Sequence, residues 1–401
     1  MNCAVLPILP ETGFQNLRIA KGGFFSYTML EASEVIIMKS LRQRHIWLLS
    51  AGTLIALFHL LSGQRGLMNA LASGTLPLRQ VLGRFCGLFP FSVAELLCTL
   101  GVLAVLAWLI WTVVSVLRQK PRWRTLWQRL SLLLAAALTL YLLLCLLLGA
   151  SYWADGFQER SGLTARPEAV ETLAETTALF AGRLRETAAL VTRDADGVFA
   201  VPSEEIFSAS VDVYRGAEAR FPFLRLRDVP PKQALYSRLM SIFNYTGFYF
   251  PFTGEAHINT DPPGALIPAT IAHEMAHQRG VASEQEANFV AVLACTESGN
   301  ETYAYSGWLF GFIHLGNALY RWDPDAYRSI AAGLPETVWA DLRANDTYWA
   351  QFETKAAEVS SAVYDTMLRS YGQSLGVRSY GAVVDLLLAW YLQGGFGELP
   401  A

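Results

Sequence analysis

Charge and cysteine are both scarce in this chain. Of 401 residues, 16% are Asp, Glu, Lys or Arg, against 53% hydrophobic. That balance excludes a disordered chain and argues against a nucleic-acid binder, which needs a dense basic surface. There are five cysteines. Cys3, Cys86, Cys98 and Cys145 lie in the apolar first third, and Cys295 stands alone downstream. No CxxC or Cys/His spacing suggests a zinc finger or redox pair, and a lone cysteine excludes a disulfide within the later part. Repeats and low-complexity tracts are also missing, which excludes a solenoid. Residues 1–37 lack the continuous apolar run of a signal peptide and read as a flexible tail or an over-long start before Met38.

The net charge of −3 conceals a division. Residues 1–149 carry thirteen Lys/Arg against four Asp/Glu, and residues 150–401 carry eighteen against thirty. A basic apolar third joined to an acidic remainder predicts a membrane domain over 38–149 and a separate domain over 150–401. Three apolar stretches predict spans at about 46–63, 91–117 and 128–149. Lys39, Arg42 and Arg44 precede the first span, and Arg118, Lys120, Arg122 and Arg124 crowd the short loop after the second. Positive charge stays inside, so the expectation is a multi-pass plasma-membrane protein with a cytoplasmic N-terminus and an extracytoplasmic C-terminal domain.

From Ser151 the pattern becomes mainly helical. Helices are expected over 168–190, 268–279, 284–298, 302–321, 324–332, 346–371 and 379–392, with Asp323 capping a helix that starts at Pro324. Glu255 to Asn259 reads as a short strand, expected at a sheet edge where a substrate backbone could pair with it. The fold class expected is mainly α: three transmembrane helices followed by a mostly helical domain with a small β element.

The chemistry-bearing segment is Thr270 to Asn288. His273 and His277 are four apart and share one face of a helix, where two imidazoles can hold one Zn²⁺. Glu274, beside the first, can deprotonate a zinc-activated water; this is the HExxH pattern of zinc metallopeptidases. Gly280 can end the helix with positive φ. A third ligand is needed, and both Glu284 and Glu286 follow. Glu284-Gln-Glu-Ala-Asn288 matches the Glu-x-x-Ala-Asp pattern of Glu-type zincins and points to Glu284, while Ser283 with Glu286 forms a capping-box pattern. Asn288 stands where that pattern has Asp and could orient a ligand histidine from behind. Tyr305 is a candidate for stabilising an oxyanion, with core packing as the competing role for it and Tyr303. His257 could be a ligand, but a strand histidine with no local partner reads rather as surface or cleft lining, and His314, in an apolar helix, reads as structural.

Several segments together resemble a bacterial family of three-span membrane proteins described only as a domain of unknown function, with a zincin-like site. They are Phe89-Pro-Phe-Ser92, Gly247-Phe-Tyr-Phe-Pro-Phe-Thr-Gly-Glu-Ala256, Tyr305-Ser-Gly307 and, most specifically, Ile271 to Phe289. The resemblance runs from about Met38 onward and implies three spans plus a metallopeptidase-like domain, with no known substrate. Residues 1–37 and His257 depart from the pattern.

The functional expectation is a membrane-anchored zinc metallopeptidase with one Zn²⁺, a peptide or protein substrate and the lipid bilayer as partner, and no nucleic acid. The competing expectation is a catalytically silent metal-binding sensor or scaffold. Intramembrane proteolysis is not expected, because the motif lies far downstream of the last span beside Arg279 and several acids.

Overall fold

The computed structural model describes residues 42–166, 168–370 and 380–397. The segment 1–37 lies outside the described residues. The described chain is mainly helical with one small sheet. Among the described residues three helices are long and apolar enough to cross a membrane: Arg42–Leu61, Val93–Arg118 and Arg122–Trp153. The third runs beyond the apolar stretch seen in the sequence, because Arg122, Arg124 and Arg129 begin the same helix and Tyr152 and Trp153 close it.

The described residues divide into two compact units, one up to Leu57 together with Leu106–Leu142 and the other of Phe58–Val105 together with those from Leu143 onward. In the first, polar groups on apolar helices find one another. Arg44 donates to the Gln128 carbonyl at 2.6 Å and to Ser131 Oγ at 3.1 Å, and Trp47 Nε1 donates to Thr139 Oγ1 at 2.9 Å. Such pairings satisfy donors that lipid cannot.

The second unit contains a helix the sequence did not announce, Arg65–Cys86, which runs continuously through Pro77. Its carbonyl side meets a hairpin turn so closely that only glycine fits. A β-carbon on Gly254, whose φ is +68°, would lie 2.2 Å from the Arg79 carbonyl oxygen. The sheet has three strands, β1 (Lys232–Gln233), β2 (Gly247–Phe250) and β3 (Glu255–Ile258), in the order β1-β3-β2. β3 pairs in parallel with β1 and antiparallel with β2, with Phe248 opposite His257. The strand expected at the edge is therefore central. The edges are β2, which borders the pocket described below, and β1, a two-residue strand too short to read from sequence.

The start of the second apolar helix is anchored to this sheet. Glu255 accepts from the backbone N–H groups of Val93 (3.2 Å) and Ala94 (2.9 Å), and Ser92 Oγ accepts from Glu95 N at 2.9 Å. A carboxylate on unpaired N–H groups at the positive end of a helix is favourable. Lys232 completes the joint, donating to Glu255 at 2.7 Å and to the Phe91 carbonyl at 2.6 Å.

Behind the sheet lies the core. The helix Ile267–Gln278 packs against β2 and β3, the helix Glu284–Thr296 and the helix Glu301–Trp322. Ile271, Ala272, Met275 and Ala276 are fully buried. Asp323 caps the helix Pro324–Ala331 by accepting from Ala326 N at 2.9 Å. The single helix expected over 346–371 is instead two, Glu336–Ala350 and Lys355–Ser370. The break falls where Phe352 turns inward and Thr354 Oγ1 accepts from Ala357 N.

Candidate metal centre

Proline at its N-terminus starts the helix Ile267–Gln278, and Gly280 (φ +84°) ends it. This turn has a direct consequence for the site. It returns the Val281 carbonyl to 2.7 Å from His277 Nδ1, which donates to it. With the proton fixed on Nδ1, the Nε2 lone pair of His277 is free for a metal. His273 Nε2 lies 3.2 Å from His277 Nε2, as a separation of four residues on a helix requires.

Glu284, first residue of the next helix, closes the triangle. Its carboxylate oxygens lie 3.2 Å from His273 Nε2 and 3.6 Å from His277 Nε2. Tetrahedral coordination at bond lengths of about 2.0–2.2 Å separates ligand atoms by roughly 3.3–3.5 Å, so the three spacings suit one divalent ion. Among the described residues His273, His277 and Glu284 form a three-donor cluster with all donor atoms within 4.8 Å. The donor set, two imidazoles and a carboxylate, is one that such ions accept.

The surroundings polarise these groups strongly. Burial lowers the basicity of His273, but the hydrogen bond and charge of Glu284, with Glu274 and Asn288, outweigh it and raise its pKa to about 9. Burial raises Glu284, yet the charges and bonds of His277, His273 and Tyr364 bring it to about 2. Glu274 is raised to about 8, first by burial, against the opposing charge of His273. Its Oε2 is buried without a hydrogen-bond partner among the described residues. A buried carboxyl with one idle oxygen, beside a metal-type triangle, is suited to handling a proton.

Two residues that local sequence spacing does not identify shape the site. Tyr364, on the helix Lys355–Ser370, donates to Glu284 Oε1 at 2.7 Å and so orients the carboxylate. Gly247, first residue of β2, passes directly over Glu274; a β-carbon there would lie 2.7 Å from Glu274 Oε1. Both line a pocket of about 380 Å³ with His273, Glu274, His277 and Glu284.

The other sequence candidates fall as follows. Glu286 is not brought to the triangle. It accepts from the N–H groups of Phe157 (2.8 Å) and Gln158 (3.0 Å) at the start of the helix Phe157–Ser161. The capping box does not form either: Ser283 is the N-cap, but its side chain accepts no cap bond, and the Glu286 carboxylate goes to those distant donors instead. Asn288 lines the pocket and acts on His273, whose basicity it helps to raise, while His273 Nδ1 itself has no hydrogen-bond partner among the described residues. Tyr305 is directed away from the site. Its hydroxyl donates to Asp341, and the Arg193 guanidinium lies over its ring at 5.1 Å, so the oxyanion role expected for it gives way to core packing. Tyr303 likewise donates to the Ile206 carbonyl at 2.8 Å. His257 stacks on Phe248 and meets Ser92 Oγ at 2.7 Å, apart from the triangle. His314 packs against Phe310 in the core, where burial lowers its pKa to about 4. Arg279 is fully buried, paired with Glu218 and Asp228 and stacked over Tyr214.

Neither a curated protein nor a solved structure matches the chain. The family model described as "Protein of unknown function (DUF3810)" matches residues 76–388, which include the sheet, the His273–His277 helix and Glu284, and the chain belongs to that family.

Proposed function

We propose that this chain is a membrane-anchored zinc peptidase with a zincin-like C-terminal domain outside the cytoplasm. The observation that carries the reading is the convergence of His273, His277 and Glu284 with the idle carboxyl oxygen of Glu274 beside them. A divalent ion held by those three would supply Lewis acidity to a scissile carbonyl and to an attacking water.

The protein's own groups supply the rest. Glu274 takes a proton from the water and returns it to the leaving amine. Val281 fixes the tautomer of His277, and Tyr364 fixes the rotamer of Glu284. Edge strand β2 has no strand partner on its outer side among the described residues and lines the pocket at Gly247, Phe248 and Tyr249. An extended peptide pairing with it would lie across Glu274.

Metal analysis of the purified full chain tests the reading. One zinc per chain is expected, retained in Glu286→Ala and lost in Glu284→Ala. Loss in Glu286→Ala with retention in Glu284→Ala would overturn the ligand set.

A further inference from the structure

Two features outside the metal triangle bear on where the substrate comes from. The first is the wall of the pocket. Leu148 and Tyr152, near the end of the membrane-length helix Arg122–Trp153, line the same pocket as His273 and Glu274. A π-helical turn over Cys145–Gly149 shifts the phase of that helix just where these side chains turn toward the pocket. The remaining lining is rich in aromatics, including Phe243, Tyr245, Phe248, Phe310 and Trp349.

The second feature is an apolar surface beside the pocket. The short helix Ser237–Ile242 and its flanks expose Leu235 (79%), Tyr236, Leu239 (49%), Ile242 and Phe243. A contiguous apolar patch of this kind marks contact with a partner or a membrane. Its anchoring identifies which. Glu95 accepts from the backbone N–H groups of Leu235 and Tyr236, both at 3.0 Å, and the Tyr236 hydroxyl meets Thr99 Oγ1 at 2.9 Å. Both partners belong to the apolar helix Val93–Arg118. Thr99 lies about 9 Å along that helix from its start, and the helix, about 39 Å long, exceeds a hydrocarbon core of about 30 Å by only a few ångströms at each end. On a centred helix hydrocarbon therefore begins about 4–5 Å from that start, between Glu95 and Thr99, and Leu235 and Tyr236, bonded to those two residues, are held at that level. A tyrosine with a polar tip and apolar body suits that boundary. The helix Arg65–Cys86 adds an exposed stripe of Leu67, Leu78, Val81 and Phe85 at helical spacing, the pattern of a helix lying in an interface. Phe243 belongs both to the exposed patch and to the pocket lining, so the lipid-facing surface runs into the site without a polar interruption at that residue.

We infer that the site takes an apolar segment of a membrane-tethered polypeptide, entering at the bilayer surface past Leu239 and Phe243. The inference rests on the peptidase reading above and gives it a substrate class. Entry at this level explains an aromatic pocket with a membrane-helix wall, and it explains the exposed leucines, which lipid covers.

The test uses the full chain in liposomes of phosphatidylcholine and phosphatidylglycerol, with Cys3 and Cys98 replaced by serine. An environment-sensitive fluorophore is attached at Leu239→Cys or, as a control, at Leu190→Cys, another exposed position. Nitroxide-labelled lipid is expected to quench the label at 239 and aqueous iodide the label at 190. In parallel, the Glu274→Gln chain is offered one Leu- and Phe-containing peptide in three forms: free, acylated directly, and acylated through about 25 flexible residues with a mean reach of roughly 28 Å. The directly acylated form is expected to bind at least about tenfold more tightly than the free one, with no gain from the spacer. Iodide quenching at 239 equal to that at 190, or a gain confined to the spacer form, overturns the inference while leaving the peptidase reading intact. Failure of all three forms to bind, together with no hydrolysis of them by the chain that retains Glu274, overturns the peptidase reading and this substrate class with it.

Discussion

Gly247 lies against Glu274 so closely that a single added methyl group would stand 2.7 Å from the Glu274 Oε1 atom. The strand that borders the pocket and the carboxyl group that would move the proton are thus packed without clearance. Gly247→Ala must displace one or the other. The expected result is a loss of roughly tenfold to a hundredfold in kcat with zinc content unchanged, since the triangle itself is not touched. Parallel steady-state kinetics and metal analysis check it.

Glu286 has a structural duty distinct from Glu284. Its carboxylate holds two backbone N–H groups at Phe157 and Gln158, and Gly156 approaches it so closely that a β-carbon there would lie 2.6 Å from Oε2. Glu286→Ala leaves those donors unpaired beside the core. A destabilisation of about 1–3 kcal/mol is expected, with zinc retained. Thermal melting of the full chain, read beside its metal content, separates this from a ligand role.

Among the described residues Tyr364 hydrogen-bonds Glu284 alone of the triangle. Tyr364→Phe frees one carboxylate oxygen to rotate. Zinc affinity is expected to fall by about tenfold to a hundredfold, the range for losing a partner that orients a ligand. Competition with a fluorescent chelator measures it, and an unchanged affinity would show that Tyr364 does not orient Glu284.

The metal-free site couples stability to pH. The folded-state pKa of His273 is about 9 against 6.5, and that of Glu274 about 8 against 4.5. Between pH 6.5 and about 9 the folded chain therefore binds more protons than the unfolded chain, and its stability falls as pH rises. The His273 contribution is complete below 6.5 and lost through about 9; the raised Glu274 acts in the same direction up to about 8. Chelator-treated protein is expected to melt at a lower temperature at pH 9 than at pH 6.5. Zinc takes the place of the His273 proton, so the loaded protein is expected to lose less over the same interval.

Which parts of this architecture could be read from sequence follows from the range of the interactions involved. His273 and His277 share a face because the helix period dictates it, and Gly280 at φ +84° is the turn that a glycine after a helix announces. The three apolar helices were legible for the same local reason. The helix Arg65–Cys86 was not, because Pro77 within it reads as a helix breaker and its arginines resemble those of a loop. The edge position went to the wrong strand because β1 contains only Lys232 and Gln233, too few residues to carry an alternation. Tyr364 reaches Glu284 across eighty residues, and Tyr305 turns to Asp341 across thirty-six. No periodicity or motif encodes such distances.

The account stands or falls on Glu274. The most direct measurement is zinc content and peptide hydrolysis of Glu274→Gln beside the unsubstituted full chain, in the same membrane preparation. Glutamine keeps the size of the side chain and leaves His273, His277 and Glu284 in place, but it cannot accept the proton. The expected result is one zinc per chain in both proteins, with hydrolysis by the unsubstituted chain and none by the variant. Equal hydrolysis by the two proteins would contradict the assignment of Glu274 as the group that moves the proton.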